Sequence, residues 1–381
     1  MNILVLGAGR MGYGAAFDLV HNSPGVERVT VADFDLEKAE DVAARVGTPR
    51  IEARRVDASF YDDVVPLMRG HDAVISCVNY WYNEWLSKAA IETRASFCDL
   101  GGNNYVVDKQ LALDAEARAG GINIIPDCGL APGMVSILAM HGAAKFDVLD
   151  ELHIRVGGLP QHPQPPLDYQ LVFSVEGLIN EYIETARCVR NGNITEVPSM
   201  TELESLSFDN FPPLEAFQTS GGTSTLPDTF SGKVKELDYK TIRYAGHCDK
   251  FKTMIDLGLC SSKEMIHGER TITPRRVFAE LLEKHLPADG PDFVLVRLEF
   301  VGTKGSERKR LRYDIVDKQD ESTGLSAMMR TTAFPASIIA QMMANGNVLM
   351  RGATPQEKAI HPDEFVAELE RRNINIAISE N

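Results

Sequence analysis

Residues 1–33 restrict the fold of this chain more than any other stretch. Ile3, Leu4, Val5 and Leu6 form an apolar run without polar alternation, which fits a strand buried on both faces. The pattern Gly7-x-Gly9-x-x-Gly12 follows with no gap. In such a loop the first glycine allows a tight turn, and the second lets the backbone approach a pyrophosphate. The third lets the following helix pack close to the strand. That helix starts with free N–H groups aimed at an anion. A second apolar strand ends in Asp33, where a carboxylate meets a ribose 2′-hydroxyl and repels a 2′-phosphate. A bound dinucleotide is therefore expected, with NAD favoured over NADP. Its candidate contacts here are Gly7, Gly9, Arg10, Met11, Gly12 and Asp33. Arg10 either meets a phosphate or is an ordinary exposed first-turn residue.

The next hundred residues repeat the strand–helix rhythm. Ile51 to Val56 reads as a third strand, ending in Asp57-Ala58. Asp57 either holds an adenine amino group or caps the next helix. Asp72 to Cys77 is a buried strand followed by Val78-Asn79, so Cys77, Val78 and Asn79 fall at the carboxyl end of the sheet, where ligands bind. Ser96 to Leu100 and Ile122 to Pro126 are further strands. Six strands alternating with helices predict an α/β, doubly wound parallel sheet of Rossmann type.

The pattern changes after Gly133. Period-two strands (Leu152 to Val156, Leu237 to Tyr244), an extended stretch from Tyr169 to Phe173, a helix from Val175 to Arg187 and a long hairpin around Lys304-Gly305 suggest an α+β domain. Phe211 to Pro227, rich in Pro, Gly, Ser and Thr, reads as loop. From Thr323 a long apolar helix containing Pro335 begins, with a last helix from Glu364 to Arg371. One helix cannot form a domain, so the tail is expected to return to the first domain and close the cleft. The expected division is 1–130 plus 323–381 for dinucleotide binding, and 131–322 as an inserted domain for substrate binding and dimerisation.

A net charge of −15 argues against nucleic-acid or anionic-membrane partners. No stretch is apolar enough to span a bilayer, and no signal-like segment precedes the first strand, so a cytoplasmic protein is expected. The six cysteines form no C-x-x-C pair and no zinc spacing, and read as small buried hydrophobes. No metal is expected.

Three segments carry a family resemblance: Gly7-Ala8-Gly9-Arg10-Met11-Gly12, Gly129-Leu130-Ala131-Pro132-Gly133-Met134, and Thr241-Ile242-Arg243-Tyr244-Ala245-Gly246-His247. With them the chain resembles the saccharopine dehydrogenase-like oxidoreductases along nearly its whole length. Val156 to Pro160 and Tyr169 to Gly177 are similar to the lysine 6-dehydrogenase branch. The resemblance implies a Rossmann-like domain built from both chain ends, an inserted substrate domain and a homo-oligomer, dimer or higher. It also implies NAD-dependent oxidative deamination of L-lysine at the ε-amine, giving 2-aminoadipate 6-semialdehyde and ammonia.

Such a reaction needs an acid/base and a cationic anchor for the α-carboxylate. Asp127, at a strand end, and His247 are the candidate acid/base residues. Each has an alternative, a loop-stabilising carboxylate and a helix-start histidine. Asp99 is similarly placed. Arg243 is the candidate anchor or else a sheet-edge arginine. Tyr169 and Gln170 either line the substrate pocket or pack. His162 is a candidate lid residue, and Met328, Arg330, Thr331 and Thr332 are candidates to face the cleft. A saccharopine or carboxynorspermidine-type dehydrogenase needs more cations for its extra carboxylates, and the inserted domain offers few (Arg155, Arg243, Lys250). A non-catalytic NAD-binding regulator is the third reading, because the fingerprint speaks for binding and not for turnover.

Overall fold

Ile3, Leu4, Val5 and Leu6 are all completely buried, and each such aliphatic side chain contributes about 1.5–3 kcal/mol on leaving water. They lie in β1 (Asn2–Leu6), the middle of a sheet continued by β2 (Arg28–Asp33), β3 (Ile51–Arg55), β4 (Ala73–Ser76), β5 (Ser96–Asp99) and β6 (Asn123–Ile125). The computed structural model describes residues 1–268 and 270–380. Glu269 and Asn381, which fall in the inserted and tail segments of the sequence reading, lie outside the described residues. The chain divides into two units. The first comprises Met1–Lys145, Ser224–Leu226 and Met329–Asn375; the second comprises Phe146–Thr223, Pro227–Met328 and the chain from Ile376.

The first unit holds a seven-stranded, all-parallel sheet. Its order is the tail strand Gly352–Ala353, then β6, β5, β4, β1, β2 and β3. The strand order reverses between β4 and β1–β2, the place where ligands bind in doubly wound sheets. Helix α1 (Arg10–His21) follows β1 directly. The tail is fastened to α1 by a buried ion pair, Arg372 Nε reaching both oxygens of Asp18 at 2.7 and 2.9 Å, and by the Ser337 hydroxyl on the same carboxylate. The long tail helix spans Ala327–Ala344, a shorter run than the sequence pattern from Thr323 suggests.

The second unit is built on a nine-stranded mixed sheet. Its centre is the strand Val148–Pro160, parallel to Glu236–Tyr244 on one side and antiparallel to Asp292–Lys304 on the other. Three stretches differ from the sequence reading. The helix read from Val175 to Arg187 ends at Ile183, and Ala186–Arg190 is a strand instead. Tyr169 to Phe173 forms no strand; it is a coil tied down by a Leu171 N–H to Pro287 carbonyl hydrogen bond of 2.8 Å. Within Phe211 to Pro227 lies the strand Leu214–Gln218, with all five residues buried and paired antiparallel to Glu236–Tyr244. Its short run is hidden among turn-forming residues, and tertiary pairing decides its state. The final strand, Ala377–Glu380, adds to the edge of this sheet beside Glu307–Lys318.

Candidate active site

The loop between β1 and α1 is shaped by what its glycines lack. A Cβ on Gly12 would lie 1.8 Å from the Gly7 carbonyl oxygen, so no side chain fits there. Gly7 has φ +99° and backs onto the Cys77 carbonyl. Gly9 is different. Its backbone is extended (φ −77°, ψ −167°), and nothing lies within 4 Å of where its Cβ would be. Neither its conformation nor its protein neighbours require glycine; the open space is a cradle on the loop's outer side. Helix α1 starts there with no side-chain cap and no acid in its first turn, leaving N–H donors for an anion. Asp33 accepts from Ala8 N–H at 2.7 Å and from Asp35 N–H at 3.0 Å, which fixes its carboxylate beside the loop. These residues fit a dinucleotide pyrophosphate and ribose.

The ends of β5 and β6 bring acids together. Asp99 is wholly buried and accepts from Gln110 Nε2 at 2.7 Å, Gly101 N–H at 2.8 Å and Asp127 N–H at 3.2 Å. Asp127 is 2% exposed and sits in the left-handed region at φ +60°, a strained conformation for a residue with a side chain. Its Oδ2 accepts from the Ser224 hydroxyl, and its Oδ1 has no hydrogen-bond partner. Burial, then the Asp99 charge, pushes the Asp127 carboxyl up to about 8, with the Ser224 hydrogen bond acting in the opposite sense. Ser224 and the nearby Glu357, which accepts from the Thr225 hydroxyl at 2.9 Å, carry no motif, and sequence reading did not find them.

In the second unit, Arg243 lies on the strand Glu236–Tyr244, 3% exposed. Its Nε donates to Tyr182 Oη at 2.8 Å and its Nη1 to the Ile242 carbonyl at 2.9 Å. The guanidinium lies over the Tyr169 ring, 4.8 Å from its centre. Arg243 makes no salt bridge among the described residues. His247 Nδ1 is 3.0 Å from the Leu167 carbonyl, which only accepts, so Nδ1 carries the proton. Nε2 then accepts from the Tyr182 hydroxyl at 3.1 Å. Burial, then the Arg243 charge, drives the His247 pKa down to about 3. A neutral ring with both nitrogens engaged suits holding Tyr182 and Arg243 in place. It speaks against acid/base exchange at His247, the role read from the sequence.

Two family models match the chain, one after the other. Residues 3–125 match the saccharopine dehydrogenase NADP-binding domain, and residues 129–374 match the saccharopine dehydrogenase C-terminal domain. The chain belongs to the saccharopine dehydrogenase family. The chain is 26% identical to a saccharopine dehydrogenase [NADP(+), L-glutamate-forming] of Pyricularia oryzae over 69% of its own length and 59% of that protein's. It is 23% identical to the carboxynorspermidine synthase of Vibrio alginolyticus over 96% and 94%. The match to the rat mitochondrial alpha-aminoadipic semialdehyde synthase, 26% identical, spans 52% of this chain and 22% of that protein. Among solved structures, the apo saccharopine dehydrogenase (L-Glu forming) of Saccharomyces cerevisiae superposes with a TM-score of 0.82 at 18% identity, covering 100% and 99% of the two chains. A Legionella pneumophila homospermidine synthase in complex with NAD gives 0.65 at 11%, covering 100% and 91%. A nicotinamide dinucleotide is supported, without a choice between NAD and NADP.

The remaining candidates on this saccharopine dehydrogenase-family chain scatter. Cys77 and Val78 back the Gly7 turn, while Asn79 is exposed and caps a short turn through Trp81 N–H. Asp57 is partly exposed and accepts from Ser59 N–H at 2.9 Å; the N-cap of the next helix is Phe60, so Asp57 does not cap it. Ala58 beside it is buried. Gln170 reaches the Gly290 carbonyl at 3.4 Å, which ties two loops together. Arg155 is bound by Glu204 and by Asp238 at 2.8 Å, and Lys250 by Asp168 at 3.0 Å. His162 is exposed. Met328 packs against Gly158, and Arg330 donates to the Arg372 carbonyl at 3.2 Å. Thr331 is wholly buried, and Thr332 packs against Gly129. Among the described residues no helix is long and apolar enough to cross a membrane, and no group of acids, histidines and cysteines is placed to hold a metal.

Proposed function

We propose that this chain is an NAD-dependent dehydrogenase that oxidises L-lysine at its ε-carbon, releasing ammonia and 2-aminoadipate 6-semialdehyde. The observation that carries the reading is the state of three cations. Of Arg155, Arg243 and Lys250, two are neutralised by carboxylates of the chain itself, and Arg243 alone is not. One free, rigidly held guanidinium matches a substrate with one carboxylate at the anchored end. A saccharopine-type secondary amine brings further carboxylates that would need partners. The names of the curated relatives keep that second reading in play.

The overall change is R–CH2–NH3⁺ + NAD⁺ + H2O → R–CHO + NADH + NH4⁺ + H⁺. A bound nicotinamide would supply the hydride acceptor, held through Gly7, Gly9, Gly12 and Asp33. Asp127, poised near pH 8, takes a proton from the ε-ammonium or from the attacking water as a carboxylate and returns one to the departing ammonia as an acid. Ser224 orients the Asp127 carboxyl. Arg243 holds the α-carboxylate, steadied by Tyr182 and His247. The carboxylate of Asp33 favours NAD over NADP.

The domain division read at 130 and 323, near the unit boundaries after Lys145 and Met328 but with the chain from Ile376 in the second unit, and a cytoplasmic homo-oligomer complete the reading. Six free thiols suit a reducing compartment, and the exposed Leu257, Ile266, Val277 and Leu281 of the second unit suit self-association, to be measured by light scattering. The deciding assay is reduction of NAD and of NADP across a panel of amino acids and polyamines. NADH formation with L-lysine alone supports the reading. A requirement for a second carbonyl compound moves it to the secondary-amine type, and cofactor binding without turnover of any amine moves it to a regulator.

A further inference from the structure

Glu181 took no part in the sequence reading, yet it lies beside Arg243. It precedes Tyr182 on the helix Val175–Ile183, and Tyr182 is the residue that holds the Arg243 guanidinium. Positions 175, 178, 179 and 182 of that helix are buried. Glu181 follows Leu178 by three residues, which puts it at the margin of the buried face. The residue as a whole is partly exposed. Its backbone carbonyl accepts from Ser220 N–H at 3.0 Å, but its carboxylate makes no hydrogen bond and no salt bridge among the described residues.

The surroundings are a wall of aromatic hydroxyls. The Glu181 charge acts on Tyr169, Tyr182 and Tyr239, as well as on Arg243. Tyr239, Thr241 and Arg243 alternate along one face of their strand. Tyr169 is 1% exposed, and its hydroxyl makes no hydrogen bond of good geometry, the Val172 N–H being only a weak neighbour. Two opposite charges thus share one small region of the second unit without pairing, next to a buried hydroxyl that lacks a partner. Opposite charges that serve only stability normally close on each other, because leaving each unpaired sacrifices the Coulomb gain that offsets desolvation. Burial pushes the Glu181 carboxyl up to about 7, with Arg243 opposing the shift, so the group is uncomfortable as it stands and would gain from a cation.

We propose that Glu181 receives the α-ammonium of the substrate whose α-carboxylate Arg243 receives, so that the pair reads the zwitterionic head of an α-amino acid. This rests on the reading of Arg243 as the carboxylate anchor, and it names the head group, not the reacting end. Chains with a carboxylate but no α-ammonium leave Glu181 facing a desolvated void and are rejected. Diamines without a carboxylate fail at Arg243.

The test uses the full-length protein and two non-reacting probes, L-2-aminohexanoate and hexanoate, measured by calorimetry in the presence of NAD. The wild type should bind the amino acid about 10- to 100-fold more tightly than the plain acid, the range set by a charged hydrogen bond. Glu181→Gln, nearly isosteric, should bring the two affinities within about threefold, by weaker amino-acid binding, stronger hexanoate binding or both. A wild type without preference overturns the proposal with no variant needed. So does a variant that keeps the preference or weakens both probes equally. The kinetic arm separates this from the function above. L-Lysine that yields no NADH, with the head-group preference intact, removes the ε-dehydrogenase reading alone. L-Lysine oxidised by the Gln variant with unchanged kcat/KM removes the clamp alone.

Discussion

The two faces of the strand Glu236–Tyr244 handle buried charge in opposite ways. On one face Asp238 and Lys240 join a closed network. His153 Nδ1 is 2.7 Å from Asp238, Arg155 binds Asp238 and Glu204, Lys240 binds Glu204 at 2.7 Å, and Arg190 reaches Glu202 at 2.7 Å. Burial alone would raise the Asp238 carboxyl, but the His153 hydrogen bond and the Arg155 charge hold it well below the usual carboxylate range. On the other face Arg243 is just as buried, and its hydrogen bonds and ring contact go to a hydroxyl, a carbonyl and an aromatic face, with no carboxylate paired to it among the described residues. The acids of the first unit repeat the second pattern, with Asp99 and Asp127 close together and no cation on either. Matched charges hold a fold together. Unmatched ones at strand ends are held ready for something that is not protein, and that difference separates structure from site better than burial or sequence pattern does.

The comparison breaks first at Asp127. Asp127→Asn should lower kcat for lysine oxidation by about 10²- to 10⁴-fold. It should also remove a limb of the wild-type kcat/KM profile that rises through about pH 8. The stability linkage runs the other way. A folded-state pKa raised above the unfolded value near 3.9 gives stability that is present at low pH and lost as pH rises toward about 8. The Tm of the wild type minus that of the variant should therefore fall across that window in calorimetric scans. Arg243→Ala should raise the KM for lysine by about 100-fold, as expected for losing a charged bidentate contact, and leave the KM for NAD within about twofold. Equal effects on both would return Arg243 to the structural class.

Asp238→Asn is the reciprocal experiment. Breaking the closed network should cost about 3–5 kcal/mol in urea unfolding, with the KM for lysine unchanged in the folded variant. The smallest effect is expected at His247. Its replacement by Gln, which can still accept from Tyr182, should raise the KM for lysine by less than about tenfold and leave the pH limb where it was. A shifted limb would restore His247 to acid/base work.

The parallel sheet was legible because each strand is a short apolar run bounded by turn residues, and because a loop with glycines at three set positions leaves few alternatives. The second unit was harder. Leu214–Gln218 has five buried residues but sits between prolines and glycines, and only its neighbour strand makes it a strand. Tyr169 to Phe173 has strand-forming residues and no strand beside it. Arg243 and Asp127 could be picked out as charged residues at strand ends. Ser224 could not, since it meets Asp127 across 97 positions of sequence. Glu181 looked like any helical acid; its one signal was a position three residues after Leu178, at the margin of the helix's buried face.

Gly9 and Gly12 answer to different pressures over time. A side chain at Gly12 collides with the loop's own backbone, so any descendant that still folds must keep that glycine, whatever it does. At Gly9 the protein tolerates a side chain and only an arriving pyrophosphate objects. In a lineage that abandoned the dinucleotide, Gly9 would be free to drift while Gly12 stayed fixed. The pair is a record of use: a relative with Gly12 intact and Gly9 replaced has kept the shape and given up the chemistry.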